Sequence, residues 1–200
     1  MPQGHSRTSD ILLALAASSD GERTSVRTIV GALGERAFAL LIVVLGLPNC
    51  LPMPPPIPLL CGLLLVFVAL QILFGLHAPW LPQRVLNHTI AHADLVRAVD
   101  RAVPWLRWLE RFARPRLHIF DNGLGMRIMG ASLLAFALAL VFAAPFIGQI
   151  PLGIAVCLLG LGMVERDGVV VAAGFVVGLV GSVLSLGFIL ALITGANAIL

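Results

Sequence analysis

The sequence predicts an all-α integral membrane protein. Its expected plan is two related helical hairpins, re-entrant and inverted-repeat-like, with amphipathic helices at the membrane surface. Three observations predict this. Residues of the set AVILMFWYC make up 59% of the 200 positions, charged residues only 12%, and the mean hydropathy is +1.01. A soluble domain carries about 25% charged residues and leaves roughly a third of its unfolded surface in water, which so few charges could not cover. The apolar residues are gathered into two blocks, 37–76 and 128–164, and a last run, 169–193. Each block is interrupted by a proline-flanked turn. Composition therefore excludes a soluble globule, a disordered chain and a disulfide scaffold.

Residues 1–36 are polar, with four arginines against Asp10, Asp20, Glu22 and Glu35, and read as cytoplasmic or interfacial helices. Within them Ile11–Ala17 follows Arg7 and precedes two serines, a faint likeness to a secretory signal. The run has only seven residues, with Asp10 at its front edge, so a short amphipathic helix capped by Ser9 or Asp10 fits it better.

The first hairpin repeat is placed at 37–76. Ala37–Leu47 is 11 residues, about 16 Å of helix, against a hydrocarbon core about 30 Å thick. Pro48–Pro58 then holds six prolines, each without a donor N–H and each clashing with a preceding helical turn. Leu59–Leu76 is long enough to cross nearly the full core.

Residues 77–127 carry eight arginines and four acids. In this Arg-rich interfacial segment Ile90–Phe112 is amphipathic. Leu95, Val99, Ala102, Val103, Leu106 and Leu109 recur at helical spacing opposite Arg97, Asp100, Arg101, Arg107 and Arg111, with either a kink or the start of a second helix expected at Pro104. Trp80, Trp105 and Trp108 suit the headgroup level. Positive loops stay cytoplasmic, which orients a multi-pass protein.

The second hairpin repeat, 128–164, has the same grammar: apolar Ile128–Ala144, a break over Pro145–Pro151, and apolar Leu152–Val164. Glu165-Arg166-Asp167-Gly168 follows, then a transmembrane helix over Val169–Ile193. Phe38 to Pro48 and on to Gly75 can be laid on Phe136 to Pro145 and on to Gly168. Interrupted hydrophobic segments in corresponding positions mark repeat-built transporters. Non-helical backbone at membrane depth must lie inside protein or face a water-filled cavity, so a homodimer packing the hairpins together is expected.

Candidate binding residues follow from this plan. Asn49 and Gln149 are the polar side chains of the two turns, where half-helix ends converge; their bland role is to cap their own turn backbones. Gln71 is an amide near the end of the first block. Glu165, Arg166 and Asp167 lie between two apolar helices, either as a plain hairpin turn or as partners of an arginine such as Arg36 or Arg127 at a cavity mouth. Arg36 and Arg127 each precede an apolar helix, where such residues commonly snorkel to headgroups. Gly174, Gly178 and Gly181 form a small-residue face for close helix contact, including contact between protomers.

Other classes find no footing. All 13 basic residues are arginine, but no basic patch stands apart from the apolar mass, so no nucleic-acid partner is expected. Cys50, Cys61 and Cys157 are odd in number and sit in apolar stretches, which reads as core packing rather than disulfides. His88 and His92 are four apart without a third ligand nearby, so neither a metal nor another cofactor is expected. No nucleophile–base arrangement is visible, and the expectation is a protein that is not an enzyme.

The chain resembles the ExoD family, bacterial membrane proteins of exopolysaccharide synthesis. The resemblance is carried by Gly34-Glu35-Arg36-Ala37-Phe38, Leu47-Pro48-Asn49, Ala69-Leu70-Gln71, Pro79-Trp80-Leu81-Pro82, Pro104-Trp105-Leu106-Arg107 and Leu159–Gly168. Together, in this order, these motifs are specific; each alone is weak. Cys50 and Met53 depart from what the proline-rich turn would carry. The resemblance implies an inner-membrane protein needed for exopolysaccharide production and implies no catalytic reaction. Two readings follow: a transporter- or channel-like protein with a cavity at the Pro-flanked turns, or a non-transporting scaffold or regulator of the polysaccharide assembly machinery that docks other synthesis proteins.

Overall fold

The computed structural model describes residues 23–199 apart from positions 55, 77, 93, 95, 98, 102, 105–122 and 144. The Ile11–Ala17 segment, Trp105, Trp108 and the end of the Ile90–Phe112 segment lie outside the described residues.

The described chain is helical apart from one short strand pair. Strand β1 (Arg23–Ser25) runs antiparallel to β2 (Thr89–Ala91), with Thr24 opposite Ile90. This ties the start of the described chain to the segment between the two apolar blocks. Helix α1 (Val26–Leu33) follows, its first turn capped by the Ser25 hydroxyl, which accepts from the Thr28 amide at 3.3 Å. At Gly34 the chain takes φ 54° and ψ −125°, open only to a residue without Cβ, and bends by 115° into α2 (Glu35–Gly46).

Helix α2 does not stop where proline was expected to stop it. A 3₁₀ turn, Leu47–Cys50, continues the rod through Pro48 and Asn49. Pro48 is tolerated because it sits in the first turn of the tighter helix. The Asn49 side-chain amide donates to the Leu45 carbonyl at 2.9 Å, giving that carbonyl a partner where the ladder changes pitch. The rod from Arg36 to Cys50 is therefore about 22 Å long, not the half-crossing of about 16 Å expected from Ala37–Leu47.

After a short non-helical stretch, α3 (Pro56–Leu73) takes Pro56 and Pro58 into its first turn, where amides have no intrahelical acceptor. A short helix α4 (Gln83–Leu86) precedes β2. Beyond β2 the described positions from 92 to 104 are helical. There Val99 and Val103 are buried in the core, while Arg97, Asp100 and Arg101 are exposed. The amphipathic reading of this segment holds where it is described.

Helix α5 (Gly123–Val141) leads to the second break, and α6 (Gln149–Glu165) leads away from it. Helix α6 starts three residues earlier than the proline rule predicts, because Pro151 lies in its first turn. Arg166 closes α6 in the left-handed region at φ 53°. Helix α7 (Gly168–Ile199) then begins at once. The Asp167 carboxylate, itself buried, accepts from the Val169 amide at 2.8 Å and caps α7. Asp167→Ala is expected to cost about 1 kcal/mol and Asp167→Asn much less, read as thermal midpoints of the purified protein in detergent.

The helices pack through glycines, whose contacts give the register. Gly62 of α3 faces Val141 of α5, and Gly130 of α5 faces Leu73 of α3. Gly46 at the end of α2 faces Cys157 of α6, and Gly160 of α6 faces Val43 and Ala39 of α2. Both pairs are antiparallel. Helices α2 and α5 run toward the breaks, α3 and α6 away from them. Phe38, Ile42, Leu65, Ile72, Leu133, Leu152 and Leu159 fill the space between the four, each under 2% exposed. Helix α7 packs antiparallel on α6, with Gly162 against Val171, Gly174 against Ala155 and Leu159, and Gly181 against Leu152. The small-residue face of α7 is thus spent within the chain.

This packing corrects the inverted relation expected of the two hairpins. Both hairpin tips lie at the same end of the bundle, and both hairpins point the same way. A rotation about an axis along the helices would exchange them; an inverted repeat would point them oppositely. Among the described residues, three helices are long and apolar enough to cross a membrane: Pro56–Leu73, Gly123–Val141 and Gly168–Gly195.

Candidate functional site at the paired hairpin tips

The two tips meet. Pro52, Met53 and Pro54 from the first break, Ala143, Pro145 and Phe146 from the second, and Pro58, Leu59, Leu140, Val141 and Gln149 on the helices beside them line a half-open cavity of 510 Å³. The lining is aliphatic, aromatic or proline except for one amide, Gln149. That side chain is 7% exposed, and its Nε2 points at the Leu51 carbonyl of the other hairpin at 3.5 Å, the long limit of a hydrogen bond.

Asn49 stands next to this cavity, fully buried at 0% exposure. A Cβ at position 153, one turn along α6 from Gln149, would lie 2.6 Å from the Asn49 carbonyl carbon. The two amides picked from the sequence are therefore brought onto one stretch of α6. They sit on helical backbone flanking the breaks, not inside the turns as expected. Asn49 spends its Nδ2 on Leu45, as the bland reading foresaw, but its Oδ1 is buried without a hydrogen-bond partner. A buried acceptor left unmet costs about 1–3 kcal/mol.

Strain is stored on the second wall. Phe146 has φ 65°, a conformation that costs a non-glycine residue roughly 1–2 kcal/mol, and it is 55% exposed. Prolines on both breaks restrict the backbone around it, so the cavity wall is stiff.

The other candidates lie elsewhere. Gln71 is near the opposite end of α3, where its Oε1 accepts from the Trp80 amide at 2.6 Å and its Nε2 donates to the Trp80 carbonyl at 3.2 Å. The Trp80 ring meets Phe67 edge-on, with centroids 6.0 Å apart. This double bond clasps the chain leaving the first hairpin back onto α3. Gln71→Leu is expected to lose about 1–3 kcal/mol, read as a lower thermal midpoint in detergent, because both Trp80 backbone groups lose their partner.

Arg36, Arg127, Glu165, Arg166 and Asp167 all belong to the base, the end of the bundle away from the tips. Arg127 is exposed in the first turns of α5, Arg36 and Glu165 are half-buried, and Asp167 is buried at the α6–α7 corner. The structure does not bring these charges to the amides. One close pair escaped the sequence reading: the Cys50 and Cys157 sulfurs are 3.7 Å apart, across 107 residues of chain. No local motif announces such a contact; only the antiparallel register of α2 on α6 creates it.

The profile described as "Exopolysaccharide synthesis, ExoD" matches residues 8–187. The chain belongs to the ExoD family. It is 35% identical over 175 residues to "Protein ExoD" of Rhizobium meliloti, covering 84% of this chain and 71% of that protein. It is also 28% identical over 184 residues to an uncharacterized protein of Synechocystis sp., covering 90% and 85% of the two chains. No solved structure matches. Exopolysaccharide synthesis is thus the process in which the family is implicated, and the paired tips are the candidate site of this chain.

Proposed function

We propose that this ExoD-family protein is a transport-type component of exopolysaccharide synthesis and export in the bacterial cytoplasmic membrane. In this reading both hairpins are re-entrant and their tips form the working cavity at membrane depth. The observation that carries it is the tip cavity itself: a half-open, largely apolar pocket with one buried amide in its wall and a second, partly unmet amide beside it.

Charge placement supports the depth. No charged residue occurs in 37–83, 128–164 or 168–200, so the tip end carries none, whereas the base gathers Arg36, Arg127 and the Glu165–Asp167 corner. Leu47, Leu51, Phe142 and Phe146 at the tips are each at least half exposed, which favours an apolar surrounding. Helix α7 supplies a ruler. Gly148 at the second tip is level with Ser185, about 26 Å of helix beyond Gly168, and the apolar stretch runs on to Gly195, about 15 Å further. A base at one headgroup layer leaves the tips short of the far one. The arginines between the hairpins favour a cytoplasmic base.

The lining favours an aliphatic chain over a bare ion, which would need a ring of oxygen ligands. A lipid-linked saccharide intermediate fits: its chain enters between the tips and a polar group near its head meets the amides. Two measurements test this. In a cysteine-free background, Met53→Cys should resist a membrane-impermeant maleimide from the periplasmic side while Asn197→Cys is labelled; equal labelling rejects the re-entrant tips. Gln149→Leu should lower exopolysaccharide output at least tenfold at unchanged protein level, and wild-type output rejects the cavity.

A further inference from the structure

Cys50 and Cys157 hold the first hairpin against α6 just below the cavity. Cys50 ends the 3₁₀ turn and is half-buried; Cys157 lies two turns into α6 and is buried. Their sulfurs are 3.7 Å apart. Neither sulfur is committed to a strong partner: Cys50 Sγ lies 3.6 Å from the Gly46 carbonyl and Cys157 Sγ 3.8 Å from the Val43 carbonyl. Gly46 is what lets them meet, because a Cβ there would stand 2.8 Å from Cys157 Sγ. Cys61, on α3, takes no part in this contact.

We propose that Cys50 and Cys157 are a hydroperoxide-sensitive thiol pair whose disulfide locks the first tip onto α6. The more accessible Cys50 thiol attacks the O–O bond of hydrogen peroxide, giving a sulfenic acid and one water. The Cys157 thiol then displaces the hydroxyl as a second water and forms the S–S bond. Two thiols and one peroxide become one disulfide and two waters, and two electrons pass to the peroxide oxygens. Forming the bond takes the sulfurs from 3.7 Å to about 2.05 Å.

The bond follows from the sulfur geometry alone. Its consequence rests on the reading of the tips as the working site. Leu51 follows Cys50 directly, its carbonyl faces Gln149, and Pro52–Pro54 form one wall of the cavity. Tying Cys50 to α6 therefore fixes that wall and stops the tips from parting to admit a chain.

The test uses the full protein in its membrane. Membranes are treated with hydrogen peroxide, denatured under acid quench, and alkylated with a mass-tagged maleimide. Reactive thiols should fall from three per chain to one, mapped to Cys61, and return to three with dithiothreitol. In Cys157→Ser, peroxide should leave Cys50 as a sulfenic acid captured by dimedone, with no disulfide. Three thiols remaining after peroxide, or a disulfide between two chains, overturns the pair. Exopolysaccharide output is then compared under peroxide. It should drop in wild type and hold in Cys157→Ser; an equal drop in both overturns the lock even if the bond forms. Failure of the cavity reading would show separately, as an unaffected Gln149→Leu.

Discussion

Gly130→Ala is expected to cost about 3 kcal/mol of stability and to remove most of the folded protein from the membrane. A Cβ at this position would lie 2.6 Å from the Leu73 amide nitrogen, 3.0 Å from Leu73 Cα and 3.1 Å from the Ile72 carbonyl carbon. All three are backbone atoms of α3, so no rotamer change makes room. Helices α3 and α5 must separate, and the separation empties contacts around Ile72, Met129 and Leu133, which are buried in the same core. The general rule that Ala exceeds Gly in helix propensity by about 1 kcal/mol is overridden by this clash. Gly187→Ala is the control. Nothing lies within 4 Å of a Cβ there, so that substitution should leave stability unchanged or raise it by up to about 1 kcal/mol. Thermal midpoints in one detergent decide it: Gly130→Ala well below wild type, Gly187→Ala at or above it. Equal midpoints would mean that α3 and α5 do not meet through this glycine.

That contact also shows what was legible in the sequence. Apolar runs of the right length announce the helices, and proline-flanked breaks announce two hairpins, because apolarity and the missing proline donor are local properties. Prolines fix the helix ends less strictly than their missing donor suggests. Pro48, Pro56, Pro58 and Pro151 all lie inside helical segments: the last three stand in first turns where a missing N–H breaks no bond, and Pro48 stands where the rod tightens from α to 3₁₀. The sense of the repeat was not legible at all. The hydropathy pattern of a hairpin is the same whether its neighbour points with it or against it. Gly46, Gly62, Gly130, Gly153 and Gly160 set the antiparallel register, but nothing along the chain says which helix each glycine faces.

The candidate site divides the same way. Asn49 and Gln149 stand out in the sequence as lone amides in apolar stretches, and the fold brings both onto the start of α6. Gln71 stands out for the same reason, yet its amide is engaged by a backbone nine residues away, a local clasp at the other end of α3. Lone polarity in an apolar run marks a group that needs a partner. Whether that partner is backbone or ligand depends on packing. The Cys50–Cys157 contact left no trace in spacing, since small apolar-tolerant thiols are common in cores.

Gly153→Ala is expected to act on the tips more than on the bundle. Its Cβ would stand 2.6 Å from the Asn49 carbonyl carbon, 2.7 Å from the Asn49 oxygen and 2.8 Å from the Cys50 nitrogen. These atoms belong to the 3₁₀ turn, which has helix on one side only, since the chain is not helical over 51–54. The turn relieves the clash by swinging away from α6. That swing carries Asn49 off its buried seat, draws the Leu51 carbonyl from Gln149 and parts the two cysteine sulfurs. Stability should fall by about 2–3 kcal/mol, less than for Gly130→Ala, where both backbones are held along full helices. Three readouts should move together: exopolysaccharide output falls at least tenfold at matched protein level, peroxide no longer removes two thiols, and the thermal midpoint drops only part-way toward that of Gly130→Ala. A merely destabilised bundle would lose output in proportion to protein level and keep its thiol pair. Preserved output at matched level, with the pair intact, would show that the turn does not lean on α6 at Gly153, and the paired-tip cavity would lose the contact that builds it.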